Sequence, residues 1–79
     1  MDRIIIYGSK YGTTKRYAEE LSRRTGIPCR NCKEVKSLSS CKVVIHLGGI
    51  YAGQILGLSQ TAKLLRQEPA AKLLVVTVG

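Results

Sequence analysis

A short apolar segment followed by a loop of glycine and hydroxyl residues is the feature that most constrains this chain. Ile4, Ile5 and Ile6 are consecutive β-branched residues, as is typical of a strand buried on both faces of a parallel sheet. Gly8 and Gly12 punctuate the loop, and an amphipathic segment follows it. Hydroxyls at a helix N-terminus lie beside unpaired backbone N–H groups and the positive end of the helix dipole. The junction predicts a phosphate-binding loop, although a turn and cap serving packing alone fit the same residues.

The rest of the chain alternates between strand and helix patterns. The predicted helices cover 14–25 and 57–67, the later strands cover 27–30, 42–47 and 73–78, and a loop covers 48–53. Gly26 is the expected C-terminal cap of the first helix, whose buried face should consist of Thr14, Tyr17, Ala18, Leu21 and Thr25. Pro28 places the second strand at an edge. The pattern predicts an α/β fold with a parallel sheet in the order 2-1-3-4.

The two glycine loops resemble those of flavodoxins. The phosphate loop of that family reads serine or threonine, any residue, a hydroxyl residue, glycine, any residue and threonine, and residues 9–14 read SKYGTT. The segments VVIHLGGIYAG and LLVVTVG follow in the family's order, and GGIYAG is similar to the second loop of flavodoxins of the menaquinone-dependent protoporphyrinogen oxidase type. The resemblance spans the chain but only the N-terminal part of the family domain. It implies a single flavodoxin-like domain over 1–79, truncated after the fourth strand and lacking the C-terminal strand and helix.

The resemblance implies FMN as the cofactor and electron transfer as the function. The residues it assigns to the phosphate are Ser9, Tyr11 (through its backbone), Gly12, Thr13 and Thr14, and those it assigns to the flavin ring are Gly49, Ile50, Tyr51 and Ala52. Both loops follow strands that are neighbours in the predicted sheet, at the carboxyl ends where ligands of such sheets bind. No catalytic residue is predicted. If the protein is an enzyme, it should be an FMN-dependent oxidoreductase; otherwise it should be an electron carrier whose redox partner protein the sequence does not identify.

The predicted fourth strand suggests an alternative function. An apolar strand at a sheet edge presents unpaired backbone groups on a hydrophobic template. We therefore expect self-association, with a dimer joined along residues 73–78 or with each copy covering the exposed face of the third and fourth strands of the other. A flavodoxin-like interaction or assembly module without a cofactor would use the same edge.

Charge and cysteine content suggest two further classes, which other features disfavour. The net charge of +8 suggests a basic nucleic-acid-binding module, but Trp and Phe are absent and three of the four tyrosines lie in or next to the two proposed cofactor loops. Cys29 and Cys32 form a CxxC motif, yet a zinc site would need Cys41 and His46 as well, and His46 is predicted to be a packed or hydrogen-bonded strand residue. No metal site is therefore predicted. The sequence shows no signal peptide or transmembrane run, so a cytoplasmic location is expected.

Overall fold

The computed structural model describes residues 2–10, 12–38 and 41–78. Five strands and two helices follow one another as β1 (Arg3–Gly8), α1 (Thr13–Thr25), β2 (Cys29–Asn31), β3 (Val43–Tyr51), β4 (Gln54–Ile55), α2 (Leu58–Leu65) and β5 (Lys72–Val78). Four strands form a parallel sheet in the order β2-β1-β3-β5, and β4 pairs antiparallel with the end of β3. The predicted α/β class and 2-1-3-4 order are confirmed, with β5 as the fourth parallel strand.

The core has two layers, one on each face of β1. Ile4 and Ile6 pack with Val44 and Leu38 on the face covered by α2, whereas Ile5 and Tyr7 pack with Ala18 on the face covered by α1. Alternate residues of a strand point to opposite faces, so a strand buried on both faces must be apolar at every position. This is the physical reason for the unbroken isoleucine run.

Helix α1 ends where the sequence predicts but buries a narrower face. Gly26 adopts a left-handed conformation with φ of 75°, and its N–H donates to the Ser22 carbonyl at 2.9 Å. Thr14 and Ala18 are buried, but Tyr17 is 58% exposed and Thr25 is exposed. The prediction that these two residues belong to the buried face was wrong. The main contacts of α1 are with β1, β2 and β3. The side of the helix that faces β5 is therefore packed less closely.

The segment predicted as a loop over 48–53 is a β-hairpin instead. Strand β3 continues through Tyr51, and β4 returns beside it with Ile50 opposite Ile55 and Tyr51 opposite Gln54. The turn residues Ala52 and Gly53 have φ values of 53° and 79°. Two consecutive residues with positive φ form a turn whose twist matches that of paired strands.

Strand β5 lies at the edge opposite β2, and both of its faces are open. Within the described part of the chain its residues pair only with β3, in a register that sets Leu74 opposite Ile45 and Val76 opposite Leu47. Leu74 is 56% exposed and Val76 is 43% exposed. An apolar edge strand is therefore present among the described residues.

Candidate functional site

The carboxyl ends of β1 and β3 frame a cleft of about 240 Å³. The residues that line it are Ser9, Lys10, Thr13, Thr14, Gly49, Ile50, Tyr51, Leu56 and Val78. The cleft joins the loop after β1 to the hairpin formed by β3 and β4, two segments that are about 40 residues apart in the sequence. A larger groove of about 430 Å³ lies along α1, but its lining residues all belong to that one helix. The cleft, in contrast, brings together the two glycine loops that the sequence predicts to form the binding site.

The first wall of the cleft is the N-terminus of α1. Gly12 precedes the helix in a left-handed conformation with φ of 85°, and its carbonyl accepts the first helical hydrogen bond from the Arg16 N–H at 3.1 Å. The side chain of the residue before a helix usually accepts a hydrogen bond from a backbone N–H of the first turn. Gly12 has no side chain, so it does not cap these N–H groups. The Ser9 hydroxyl oxygen accepts a hydrogen bond from the Gly12 N–H at 2.8 Å, which leaves its own O–H able to donate. These groups together suit an anion.

The second wall is the end of β3. A Cβ atom built on Gly49 would lie 3.5 Å from the Thr14 hydroxyl oxygen, so the backbone of the second loop is directly beside a hydroxyl of the first. Thr14 itself is buried, whereas the Tyr51 ring is half exposed. The Lys10 ammonium lies 3.6 Å from the centroid of the Tyr51 ring, a cation–π contact that links the two loops.

Most of the residues predicted for the site meet in this cleft. Ser9, Thr13 and Thr14 line it from the first loop, and Gly49, Ile50 and Tyr51 line it from the second. Gly12 acts as the start of α1, and Ala52 lies exposed at the hairpin tip, beyond the lining residues. Tyr11 lies outside the described residues.

Three lining residues were missed by the sequence reasoning. Lys10 had a visible signal, because it lies inside the phosphate loop, but its contact with Tyr51 depends on the fold. Leu56 and Val78 reach the cleft only through the packing of β4 and β5 against β3. The predicted strand order already places the end of β5 beside the end of β3, whereas the position of Leu56 depends on the hairpin, which no motif in the sequence predicts.

His46 is buried below the cleft and is fully hydrogen-bonded, as predicted. Its Nδ1 lies 2.9 Å from the Thr61 hydroxyl oxygen, and its Nε2 lies 2.9 Å from the Leu56 carbonyl oxygen. Burial lowers the pKa of His46, and this effect outweighs the bond to the Leu56 carbonyl, which acts in the opposite direction. Thr61 is the buried residue of α2 and faces the sheet from that helix.

The cysteines of the CxxC motif lie on opposite faces of the sheet. Cys29 packs against the Ile5 and Tyr7 layer, whereas Cys32 belongs to the Ile4 and Ile6 layer. Burial raises the pKa of the Cys32 thiol, which disfavours the reactive thiolate. Among the described residues, no group of three or more His, Cys, Asp or Glu side chains is placed to hold a metal ion.

The fold and the cleft define a class of protein: a parallel α/β domain with a ligand cleft at the carboxyl ends of its strands. The sequence model of the family described as Flavodoxin domain matches residues 4–78. The match covers nearly the whole chain, so the chain belongs to the flavodoxin domain family. A search of the curated proteins gave no match. Among the described residues, no helix is long and apolar enough to cross a membrane.

Proposed function

We propose that this chain binds FMN and serves as an electron-transfer domain. The observation that carries the proposal is the convergence of a hydroxyl-bearing helix N-terminus and an aromatic glycine loop on one cleft. When bound, the flavin supplies the one- and two-electron chemistry, and the protein supplies binding and orientation. The family match is compatible with this cofactor, and the finer resemblance to the menaquinone-dependent protoporphyrinogen oxidase type remains a prediction from GGIYAG.

The first loop is chemically suited to the phosphate group. Ser9, Thr13 and Thr14 offer hydroxyl donors, and the start of α1 adds backbone N–H groups and the positive end of the helix dipole. Lys10 adds a cation at the rim. Tyr11 remains a predicted phosphate contact through its backbone.

The second loop is chemically suited to a flat aromatic ring. Gly49 presents backbone without a side chain, which lets a planar group approach closely. The half-exposed Tyr51 ring offers a face for stacking, and Ile50 extends the apolar surface beside it. Ala52, at the hairpin tip, remains a predicted ring contact.

Titration with FMN, followed by quenching of the flavin fluorescence, tests the proposal. The variant Thr14→Val keeps the shape of the side chain and removes its hydroxyl, so we expect FMN affinity to fall about tenfold through loss of a hydrogen bond to a charged group. Riboflavin lacks the phosphate, and its affinity should change little. Thr25→Val is the matched control, because it removes a hydroxyl at the opposite end of α1.

Two results would count against the proposal. The wild-type chain could fail to quench FMN fluorescence at millimolar protein, in which case the cofactor assignment is wrong. Thr14→Val could instead weaken FMN and riboflavin equally, in which case the first loop does not hold the phosphate.

The second candidate function is an interaction module that uses β5. Leu73 to Val78 carries no charged residue in a chain of net charge +8, so this edge is a surface where a second copy meets little electrostatic repulsion. An exposed apolar edge strand also offers backbone groups for pairing. The two functions do not exclude each other, because Val78 is the one residue of this edge that also lines the cleft among the described residues.

A further inference from the structure

The hydrogen-bonding roles of His46 are fixed by its two partners. A backbone carbonyl can only accept, so the ring nitrogen that faces the Leu56 carbonyl, Nε2, carries the proton. The other nitrogen, Nδ1, then has a free lone pair and accepts the O–H of Thr61. The side chain is completely buried, so both ring nitrogens satisfy their hydrogen bonds within the protein. The ring is thereby held in one tautomer and one orientation.

The Leu56 carbonyl that His46 holds lies in a narrow seam between two strands. A Cβ atom on Gly8 would come within 2.3 Å of this oxygen, and one on Gly48 within 2.7 Å. Any side chain at either position would push Leu56 outward. The seam brings the segment after β4 against Gly8, the last residue of β1 before the phosphate loop.

Leu56 is also held from its other side. Its N–H donates to the Gly49 carbonyl at 2.9 Å, so β3 fixes this residue through one backbone bond and one histidine bond. Leu56 lines the cleft together with Ser9, Thr14 and Tyr51. A shift of Leu56 would therefore change the wall between the two loops.

We propose that His46 is a positioning residue of the cleft, which fixes the Leu56 wall by donating its Nε2–H to the Leu56 carbonyl. The role in ligand binding rests on the proposed function, whereas the fixing of Leu56 does not. His46 is not itself a lining residue of the cleft, because it lies beneath Leu56 on the α2 side of the sheet.

Two variants with an amide side chain at position 46 distinguish the hydrogen bond to Leu56 from the size and polarity of the side chain. In His46→Gln the side-chain nitrogen reaches the position of Nε2 and still donates to Leu56, whereas in His46→Asn the shorter amide reaches only the position of Nδ1. We expect His46→Asn to weaken FMN binding about five- to tenfold and His46→Gln to stay within about threefold of the wild type. Equal weakening in both variants, or none in either, would overturn the role in binding.

Amide hydrogen exchange at Leu56 tests the positioning without any ligand. We expect the Leu56 N–H to lose protection in His46→Asn and to keep it in His46→Gln, while the protection of the Ile5 amide in the core of β1 is unchanged in both. Unchanged Leu56 protection in His46→Asn would overturn the proposal even if FMN binds. If the wild type binds no FMN, the proposed function fails, and this measurement still decides whether His46 fixes Leu56.

If His46→Asn does not fold, a spectroscopic measurement on the wild type still tests the proposal. The ring ¹⁵N chemical shifts should show a protonated Nε2 and an unprotonated Nδ1 at neutral pH. An unprotonated Nε2 would be incompatible with the donor that the proposal requires.

Discussion

At the scale of single residues, His46 is the residue whose role depends most on its surroundings. In the sequence, a histidine within a strand indicates no particular role. The role of His46 depends on its hydrogen bonds to Thr61 and Leu56, which lie 15 and 10 residues away along the chain. Because the chain contains one histidine, its titration can be followed without interference from another imidazole. Its protonation must also affect the stability of the fold.

We predict that the free energy of unfolding falls as the pH is lowered below about 6.5, the ordinary pKa of histidine. Burial lowers the pKa of His46 in the folded chain, so the unfolded chain binds more protons in this range and stability rises with pH. The stability that neutral His46 contributes is fully present above the pKa of histidine in the unfolded chain. It is lost as the pH falls toward the lower pKa of His46 in the folded chain. The slope is at most about 1.4 kcal/mol per pH unit.

Urea unfolding of the wild type and of His46→Gln between pH 7.5 and pH 5.5 measures this effect. The carboxylates contribute equally to both proteins, so the difference between the two pH profiles isolates the histidine. Parallel profiles would mean that His46 titrates in the folded chain as it does in the unfolded chain, contrary to its burial.

At the scale of secondary-structure elements, the hairpin of β3 and β4 is the feature that the sequence pattern does not predict. The sequence pattern predicts a loop that begins at Gly48 and Gly49, yet both are strand residues paired with β5. Ile50 and Tyr51 then favour an extended conformation, and the turn falls at Ala52 and Gly53. Ala52 is the one non-glycine residue with positive φ among the described residues.

We predict that Ala52→Asn stabilises the chain by about 0.5–1 kcal/mol. Alanine in the left-handed region is strained by the proximity of its Cβ to the backbone, whereas asparagine tolerates that region and Asn-Gly is the preferred pair for such a turn. The urea midpoint should rise with an unchanged slope of the transition. The companion variant Ala52→Val should lower the midpoint, and an Asn variant no more stable than the wild type would argue against this turn geometry.

At the scale of the whole molecule, the two edges of the sheet differ in character. Strand β2 is three residues long and contains a charged arginine, whereas β5 is seven residues long and uncharged after Lys72. Tyr17, Leu21 and Leu47 form an apolar groove with the end of β5 on the α1 side. A small domain has little core to compensate for such exposure.

We predict that the chain forms a two-fold dimer through β5, because a symmetric interface uses the same apolar edge on both copies. Val76→Lys places a charge in the groove beside the edge and should shift the sedimentation equilibrium toward monomer. Ser59→Lys is the control, since it adds the same charge on the exposed side of α2.

Hydrogen exchange of the β5 amides as a function of concentration provides the second readout. Amides on the free edge should become more protected as the concentration rises, while those bonded to β3 stay constant. A folded monomer at high concentration with free-edge amides that exchange as fast as a loop would contradict the dimer.

The sequence alone determined the features that depend on neighbouring residues. The isoleucine run predicted β1, the position of Gly26 predicted the end of α1, and the SKYGTT segment predicted the loop that frames the cleft. Tertiary structure decided the rest: the exposure of Tyr17, the β4 hairpin, and the contacts of His46 with Leu56 and Thr61. Local patterns report the conformation and burial that a segment favours, but the distances between segments are fixed only when the strands align in register.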